Sequence, residues 1–210
     1  MENSIVELKA FQMVRGHLQS LTDEKIHDLN ELISPYCEFR RKVAWFHKRY
    51  LSGICTEKCF MDRTSFCCNR DGIATFFADV VVNCLIAGEN DLNNLEERLK
   101  NDPGGFKCIY LTDKGCLWKM KPIVCEMFLC DHAKNKLKEA GDQLMEEWNM
   151  LCVWEKDFTW PDKQVLFDDI EALFLQAGYE SPIMYFHKSP GLLRVKKKRD
   201  NPSGNDNKIN

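Results

Sequence analysis

The sequence lacks any long uninterrupted apolar segment. Its longest apolar run, residues 73–87, is broken by Asp79 and Asn83. It falls short of the roughly 18 consecutive apolar residues that indicate a membrane-spanning helix, so it is typical of a buried helix. The first 20 residues carry scattered charges rather than the basic and then apolar pattern of a secretory leader. We therefore expect a cytoplasmic protein with no membrane span.

The sequence also lacks the common catalytic fingerprints. It contains no glycine-rich phosphate loop, no dinucleotide motif, no Gly-x-Ser-x-Gly elbow and no His-Glu-x-x-His pair. Its composition, with 44% hydrophobic and 29% charged residues, is that of an ordinary globular protein. These absences argue against the best-marked nucleotide-binding, hydrolase and zinc-protease classes, and they leave open whether the protein is an enzyme.

Charge points only weakly to a partner. The formal net charge is −3, but the last 22 residues, 189–210, contain six Lys or Arg and two Asp. The Pro, Gly and Asn residues near the end of this stretch are typical of a disordered terminus. A basic run can also bind phosphates, but we expect a disordered tail rather than a nucleic-acid site.

Hydrophobic periodicity predicts a mostly α protein with one small β-hairpin and an irregular cysteine-rich segment. We divide the chain into an N-terminal helical segment, a cysteine-rich metal-binding region, a C-terminal helical segment packed on that region and a basic tail. These units span residues 1–52, 53–132, 133–188 and 189–210.

The predicted elements follow from spacing and from turn residues. Helices are expected to break before Pro35 and to end near Gly88 and Gly178, since proline and glycine interrupt or terminate helices. A hairpin is expected around residues 112–115. The predicted helices span residues 5–21, 23–34, 36–50, 72–87, 91–101, 122–128 and 163–177, with a long helix that starts after Asp131 and includes Cys152. A last strand spans residues 183–187.

Cysteine is abundant and unevenly distributed. The chain has 11 cysteines, of which nine lie between Cys55 and Cys130. In a reducing compartment, clustered thiols bind metals more often than they form disulfides. Cys37, Cys84 and Cys152 lie in predicted helices, where cysteine serves as a small apolar residue. The other eight lie in predicted loops or at helix ends and are our predicted metal ligands: Cys55, Cys59, Cys67, Cys68, Cys108, Cys116, Cys125 and Cys130.

Whether these thiols can meet depends on local geometry. A two-residue hairpin turn pairs Leu111 with Cys116 and places Cys108 and Cys116 on opposite faces, so a shared site favours a three-residue loop or a bulge. Cys125 and Cys130 converge only if their helix breaks near Phe128, because five residues correspond to roughly 140° of rotation. Cys67 and Cys68 precede the helix expected at residue 72, whose N-terminus favours thiolate.

The order of these motifs resembles the YkgJ-type CxxCxxCC family of cysteine-cluster proteins, described as zinc- or iron-chelating domains. The resemblance covers roughly residues 53–130. It implies metal binding, and the similar cysteine layout of flagellin lysine-methylase-like proteins keeps an enzyme open as an alternative. The residues that carry it are Cys55, Cys59, Cys67 and Cys68, then 108-CIYL-111, Gly115-Cys116, Lys121-Pro122 and Cys125 with Phe128.

We predict a metalloprotein that holds an iron–sulfur cluster, of the [4Fe–4S] type, or alternatively zinc, for electron transfer or redox sensing with a protein redox partner. A metal-dependent enzyme is the first alternative, with Asp79, Glu126, Asp131 and His132 as acid–base candidates, although surface charge is their ordinary role. A nucleic-acid or partner-binding module with structural zinc is the second. His132 is also a candidate extra ligand, whereas the other four histidines are expected in ordinary core or surface positions.

Overall fold

The structure is a computed structural model that describes residues 2–54, 61, 68, 75–160 and 163–188. Within these residues the protein is mostly α-helical, as predicted, with one two-stranded antiparallel hairpin. In the described part of the chain, no helix is both long and apolar enough to cross a membrane. The elements are α1 Glu2–Ser20, α2 Asp23–Tyr50, α3 Phe77–Ile86, α4 Glu89–Lys100, β1 Leu111–Thr112, β2 Gly115–Cys116, α5 Ile123–Met127, α6 Asp131–Ala140, α7 Asp142–Thr159, α8 Leu166–Gln176 and α9 Tyr185–Lys188.

Six of the helices form what we call the helical body: α1, α2, α3, α4, α7 and α8. α1 packs on α3 and α4, and α8 packs on both α3 and α7. The interior is aromatic: Phe39 stacks on Phe158 with ring centroids 5.4 Å apart, and Tyr36 meets Phe158 and Phe167 edge-on. Such ring pairs add to the free energy gained from burying apolar area. The helical body therefore encloses an ordinary hydrophobic core.

Helix α2 runs through Pro35, so the predicted break before this residue is wrong. Thr22 caps its start as expected, because the side-chain oxygen accepts a hydrogen bond from Lys25 N–H at 3.4 Å. Proline within a helix costs about 3 kcal/mol. Seven buried side chains line one face of α2 on both sides of Pro35, and their packing outweighs that cost.

The long helix expected after Asp131 is two helices. Gly141 separates α6 from α7 with φ of 116°, a backbone conformation that L side chains rarely adopt. The glycine therefore redirects the chain instead of only weakening a continuous helix. The predicted last strand is also wrong, because residues 185–188 form the short helix α9.

The apolar helix α3 begins at Phe77, later than the predicted residue 72. Asp79 closes its first turn, since its Oδ2 accepts a hydrogen bond from Phe76 N–H at 3.1 Å. Cys68 therefore lies nine residues before the helix. The expectation that this N-terminus favours thiolate at Cys68 is not supported, because the effect of a helix end falls off within one turn.

Candidate metal centre

A cavity of about 440 Å³ lies beside the C-terminal end of α2, the β-hairpin, α5 and the start of α6. We call it the cysteine cavity. Its wall includes five of the eight predicted ligands, contributed by separate stretches of the chain. They are Cys68, Cys108, Cys116, Cys125 and Cys130.

The hairpin has a two-residue turn, which pairs Leu111 with Cys116. Cys108 and Cys116 nevertheless line the same cavity, although a shared site was expected to favour a three-residue loop or a bulge. The reason is that β1 begins only at Leu111. Cys108 lies in a turn closed by a 3.1 Å hydrogen bond from Leu111 N–H to Cys108 C=O, and the alternation of faces along a strand does not reach it.

A backbone hydrogen bond ties the two cysteine-bearing halves together. Cys108 N–H donates to Cys68 C=O at 2.8 Å, across 40 residues of sequence. Cys68 itself is therefore held directly beside the hairpin. This contact is consistent with the prediction that the two halves meet.

Cys125 and Cys130 converge because the chain bends between them. Helix α5 ends at Met127, and Phe128 is extended with φ of −81° and ψ of 119°. Cys130 is extended as well and precedes α6. The predicted break near Phe128 is confirmed, and it brings both thiols to the cavity wall.

Burial keeps two of these thiols in their neutral form. It raises the pKa of Cys108 to about 12 and that of Cys116 to about 11. Backbone N–H groups act in the opposite direction: those of Tyr110 and Leu111 hydrogen-bond to Cys108, and that of Trp118 hydrogen-bonds to Cys116. Donors directed at sulfur stabilise a thiolate once a cation offsets the cost of burying its charge.

The cavity thiols also influence one another. Cys116 contributes to the raised pKa of Cys108, and Cys125 contributes to that of Cys116. Three of the five cysteines thus form an electrostatically coupled row. Two neighbouring thiolates repel each other in a buried site, and a bound metal cation relieves that repulsion.

The strip of chain between Cys116 and Cys125 is held by α3. Asn83 Nδ2 donates to Met120 C=O and Asn83 Oδ1 accepts from Met120 N–H, both at 2.9 Å. One helical turn earlier, Asp79 Oδ1 accepts from Ile123 N–H at 3.0 Å. These hydrogen bonds fix the position of the hairpin relative to α5.

A buried arginine on α2 holds the same strip from the other side. Arg40, only 1% exposed, donates from Nη2 to Glu126 Oε2 at 2.7 Å and also to the carbonyl of Lys121. A second carboxylate oxygen, Asp79 Oδ1, lies 3.9 Å from Arg40 Nη1. Because Asp79 and Glu126 are buried and paired, the expectation of ordinary surface charge is wrong for both.

Burial raises the pKa of Asp79 to about 6, and Glu126 contributes to the increase although Arg40 opposes it. One guanidinium thus serves two buried carboxylates. The group also binds backbone, through the carbonyl of Lys121 and the N–H of Ile123.

The hairpin is also fixed to α1. The hydroxyl of Tyr110 donates to the carboxylate of Glu7, and the Tyr110 ring meets Trp118 edge-on at 5.2 Å. Tyr110 and Trp118 are both at least 96% buried. The cavity is therefore supported by three helices of the body.

Two wall residues are not among the predicted ligands. His47 and Trp118 both line the cavity, and each has a buried side-chain nitrogen without a hydrogen-bond partner, Nε2 and Nε1 respectively. His47 shares a helix face with the buried Tyr36, Arg40 and Val43, at intervals of three and four residues. This spacing could have identified His47 from the sequence, because a polar side chain on a buried helix face needs a hydrogen-bond partner.

The described wall of the cavity carries several positive charges. Four lysines contribute to it, and among the described wall residues the one carboxylate, Glu126, is bound to Arg40. One of the lysines, Lys119, also lies 3.9 Å from Asp91. An anionic occupant is favoured by this charge distribution. The lysines are Lys48, Lys114, Lys119 and Lys121.

Several predicted residues are placed elsewhere. His132 is exposed and is not part of the cavity wall, and neither is Asp131, whose side chain is 95% exposed. Cys37, Cys84 and Cys152 are half-buried against the hydrophobic core, as expected. Three predicted ligands lie outside the described residues: Cys55, Cys59 and Cys67. The basic tail at 189–210 lies outside them as well.

Among the residues that the structure describes, no three Cys, His, Asp or Glu side chains are grouped so that they could hold a metal ion. The five cavity cysteines thus share a wall without forming a finished single-ion site. Comparisons with protein-family models, curated proteins and solved structures found no match for this chain. The resemblance to YkgJ-type proteins stays a prediction that rests on the cysteine layout alone.

Proposed function

We propose that this protein is a metalloprotein that binds an iron–sulfur cluster through cysteine thiolates at the cysteine cavity and uses it in electron transfer or redox sensing. The observation that carries the proposal is the convergence on one cavity of Cys68, Cys108, Cys116 and the Cys125–Cys130 pair. Four thiolates are the usual ligand set of a [4Fe–4S] cluster. With Cys55, Cys59 and Cys67 in the same predicted set, the chain has more thiols than one cluster needs.

The size of the cavity favours a cluster over a single zinc ion. A structural zinc is enclosed by four ligands, each about 2.3 Å from the metal, and leaves no open volume between them. A cluster places each thiolate on a different iron, so its ligands are further apart. A cavity of about 440 Å³, with cysteines on its wall from separate stretches of the chain, has room for the second arrangement.

The surroundings fit an anionic sulfur-rich group. When bound, such a cluster supplies one-electron redox chemistry, with a potential that depends on net charge, N–H···S hydrogen bonds and exposure. The backbone N–H groups that reach Cys108 and Cys116 provide those hydrogen bonds. The lysines of the wall offset negative charge, and buried Tyr110 and Trp118 keep water from one side.

Replacing single cysteines in the full chain tests the proposal. Anaerobically purified protein is expected to be brown, to absorb at about 400 nm and to contain iron and sulfide. Cys108→Ser and Cys116→Ser should each lose most of this absorbance and iron. The matched controls are Cys37→Ser and Cys152→Ser, which change half-buried thiols away from the cavity and should retain both.

A colourless protein without metal would end the proposal. Protein that contains stoichiometric zinc and no sulfide would show that the site binds zinc and not a cluster. Equal losses in the control variants would show that the cysteine cavity is not where the metal binds.

A further inference from the structure

The mouth of the cysteine cavity carries positive charge and an exposed aromatic ring. Three of the four wall lysines are exposed, and so is Phe128, which is 52% exposed. In the described part of the wall no acidic side chain is exposed, because its one carboxylate, that of Glu126, is buried. Exposed wall residues form the rim that an approaching molecule meets first. The exposed lysines are Lys48, Lys114 and Lys119.

The same charge continues along the outer side of α2. Trp45 precedes Lys48 by three residues, so the two are neighbours on the helix surface, and it is 52% exposed. The guanidinium of Arg49 lies over the Trp45 ring, 5.4 Å from its centroid. Between residues 41 and 49, the exposed residues of α2 include four Lys or Arg and no Asp or Glu. We call the combined surface the basic face: Trp45, Lys48, Arg49, Lys114, Lys119 and Phe128.

Three exposed aspartates border the basic face, and each is close to a lysine in space or in sequence. Asp91 lies 3.9 Å from Lys119, Asp131 lies 4.0 Å from the lysine beside Phe128, and Asp113 precedes Lys114 in the hairpin turn. Lys48 and Arg49 add charge beyond these three pairs. The surface around the mouth is therefore net positive.

This charge acts outward more than inward. Water and salt screen exposed charges, so the rim lysines contribute less to a buried cluster than to the approach of an oppositely charged molecule. Exposed aromatic rings and arginine, as at Trp45 and Arg49, are enriched in protein interfaces. Their position beside the proposed redox centre is that of a docking surface for a redox partner.

The charge distribution favours an acidic protein over a nucleic acid. Lysine is a hydrated point charge and lacks the planar fork with which arginine binds phosphate. The chain before residue 189 also has more Asp and Glu than Lys and Arg. A long polyanion would be repelled by the rest of this chain, whereas a protein with one acidic patch needs to contact only the basic face.

We propose that the basic face is the docking surface for an acidic electron-transfer protein that exchanges one electron with the centre at the cysteine cavity. The inference rests on the proposed function. In the encounter, one electron passes from the reduced partner to the oxidised cluster, or in reverse from the reduced cluster to the oxidised partner, and no covalent bond forms or breaks. Redox encounters of this kind use small interfaces, so a few charges at the rim can dominate association.

The test measures how the full, anaerobically purified chain associates with two immobilised acidic probes, a flavodoxin and a plant-type ferredoxin. Association should be fast at low salt and should slow steeply as salt is added. The double variant Lys48→Glu with Lys114→Glu should lower the association rate constant by at least ~10-fold at low salt. The matched control, Lys25→Glu with Lys156→Glu, makes the same change in net charge at exposed positions outside the cavity wall and should have a much smaller effect.

A third variant separates the aromatic contact from the charge. Trp45→Ser should raise the dissociation rate and leave the salt dependence unchanged, because it removes apolar contact and no charge. Circular dichroism confirms that each variant folds, and iron content should stay at the wild-type level because no predicted ligand is changed.

Equal slowing in the two double variants, or association of the basic protein cytochrome c as fast as that of the acidic probes, overturns the inference and leaves the proposed function intact. Binding of a single-stranded DNA oligonucleotide at the basic face, with no binding of either acidic probe, overturns it in favour of a nucleic-acid surface. A chain that binds both acidic probes at this face but contains no metal supports the docking surface and overturns the proposed function.

Discussion

The helical body and the cysteine cavity are stabilised in different ways. In the body, long helices bury aromatic rings such as Phe39 and Phe167, both fully buried. Around the cavity, the two hairpin strands and α5 are only two to five residues long and cannot be stable alone. They are held by buried hydrogen bonds from Arg40, Asp79 and Asn83 on the body. Apolar burial thus makes the scaffold, and buried polar contacts determine where the cysteines lie.

The cysteines show the same difference. Cys37 and Cys152 are half-buried on helices that would form without them. Cys108 lies in a turn that is bonded to Cys68, and Cys130 lies in the extended chain between α5 and α6. Thiols in the first setting serve as small apolar side chains, and those in the second are presented to a shared volume.

The strongest test of this comparison removes the buried arginine. Arg40→Met leaves Asp79 and Glu126 as buried carboxylates without a cation, so the free energy of unfolding should fall by about 3–5 kcal/mol. Urea denaturation measures the loss, and metal content should fall with it because α5 is released. Arg41→Met changes an exposed neighbour and serves as the control. Equal behaviour of the two variants would contradict the role given to Arg40.

A smaller effect should separate positioning from global stability. Asn83→Ala removes both side-chain hydrogen bonds to Met120, which should lower the free energy of unfolding by about 2 kcal/mol at about 1 kcal/mol each. Metal content should fall more than this loss of stability explains, since the strip between Cys116 and Cys125 is no longer fixed. Asn94→Ala on the exposed face of α4 is the matched control. Unchanged metal content in Asn83→Ala would show that α3 does not position the site.

The smallest expected effect is on the pH dependence of stability. The pKa of Asp79 is about 6 in the folded protein and about 4 when unfolded, so the folded state binds this proton more tightly. Stability should therefore fall by about 1–2 kcal/mol as pH rises from 4 to 6. Denaturation across this range measures the slope, and Asp79→Asn should flatten it. An identical slope in that variant would show that Asp79 does not titrate as described.

Much of the helical body could be predicted from hydrophobic spacing. The capping by Thr22 and the glycine that ends α8 followed from rules about helix ends. Errors arose where a local rule competed with packing, as at Pro35, where burial along α2 outweighed the proline. At Gly141 one continuous helix was expected, but the glycine adopts a φ of 116° and α6 packs against α7.

The cavity was predictable in its cysteines but not in its supports. Their spacing and their position in irregular chain identified Cys108, Cys116, Cys125 and Cys130, all of which line the cavity. No local pattern connects Arg40 with Glu126, or His47 with the cavity, since each contact spans tens of residues. The only sign of such a long-range contact in the sequence is a polar residue on a helix face that is otherwise apolar.

The sequence alone determined the helical class and the supply of thiols, since periodic apolar residues form helices wherever they are buried and cysteine composition does not depend on the fold. Only the tertiary structure decided which thiols share a cavity and which polar residues hold them there. Convergence is a property of three-dimensional position, and it depends on side chains such as Arg40 and Asn83 whose partners are distant in sequence.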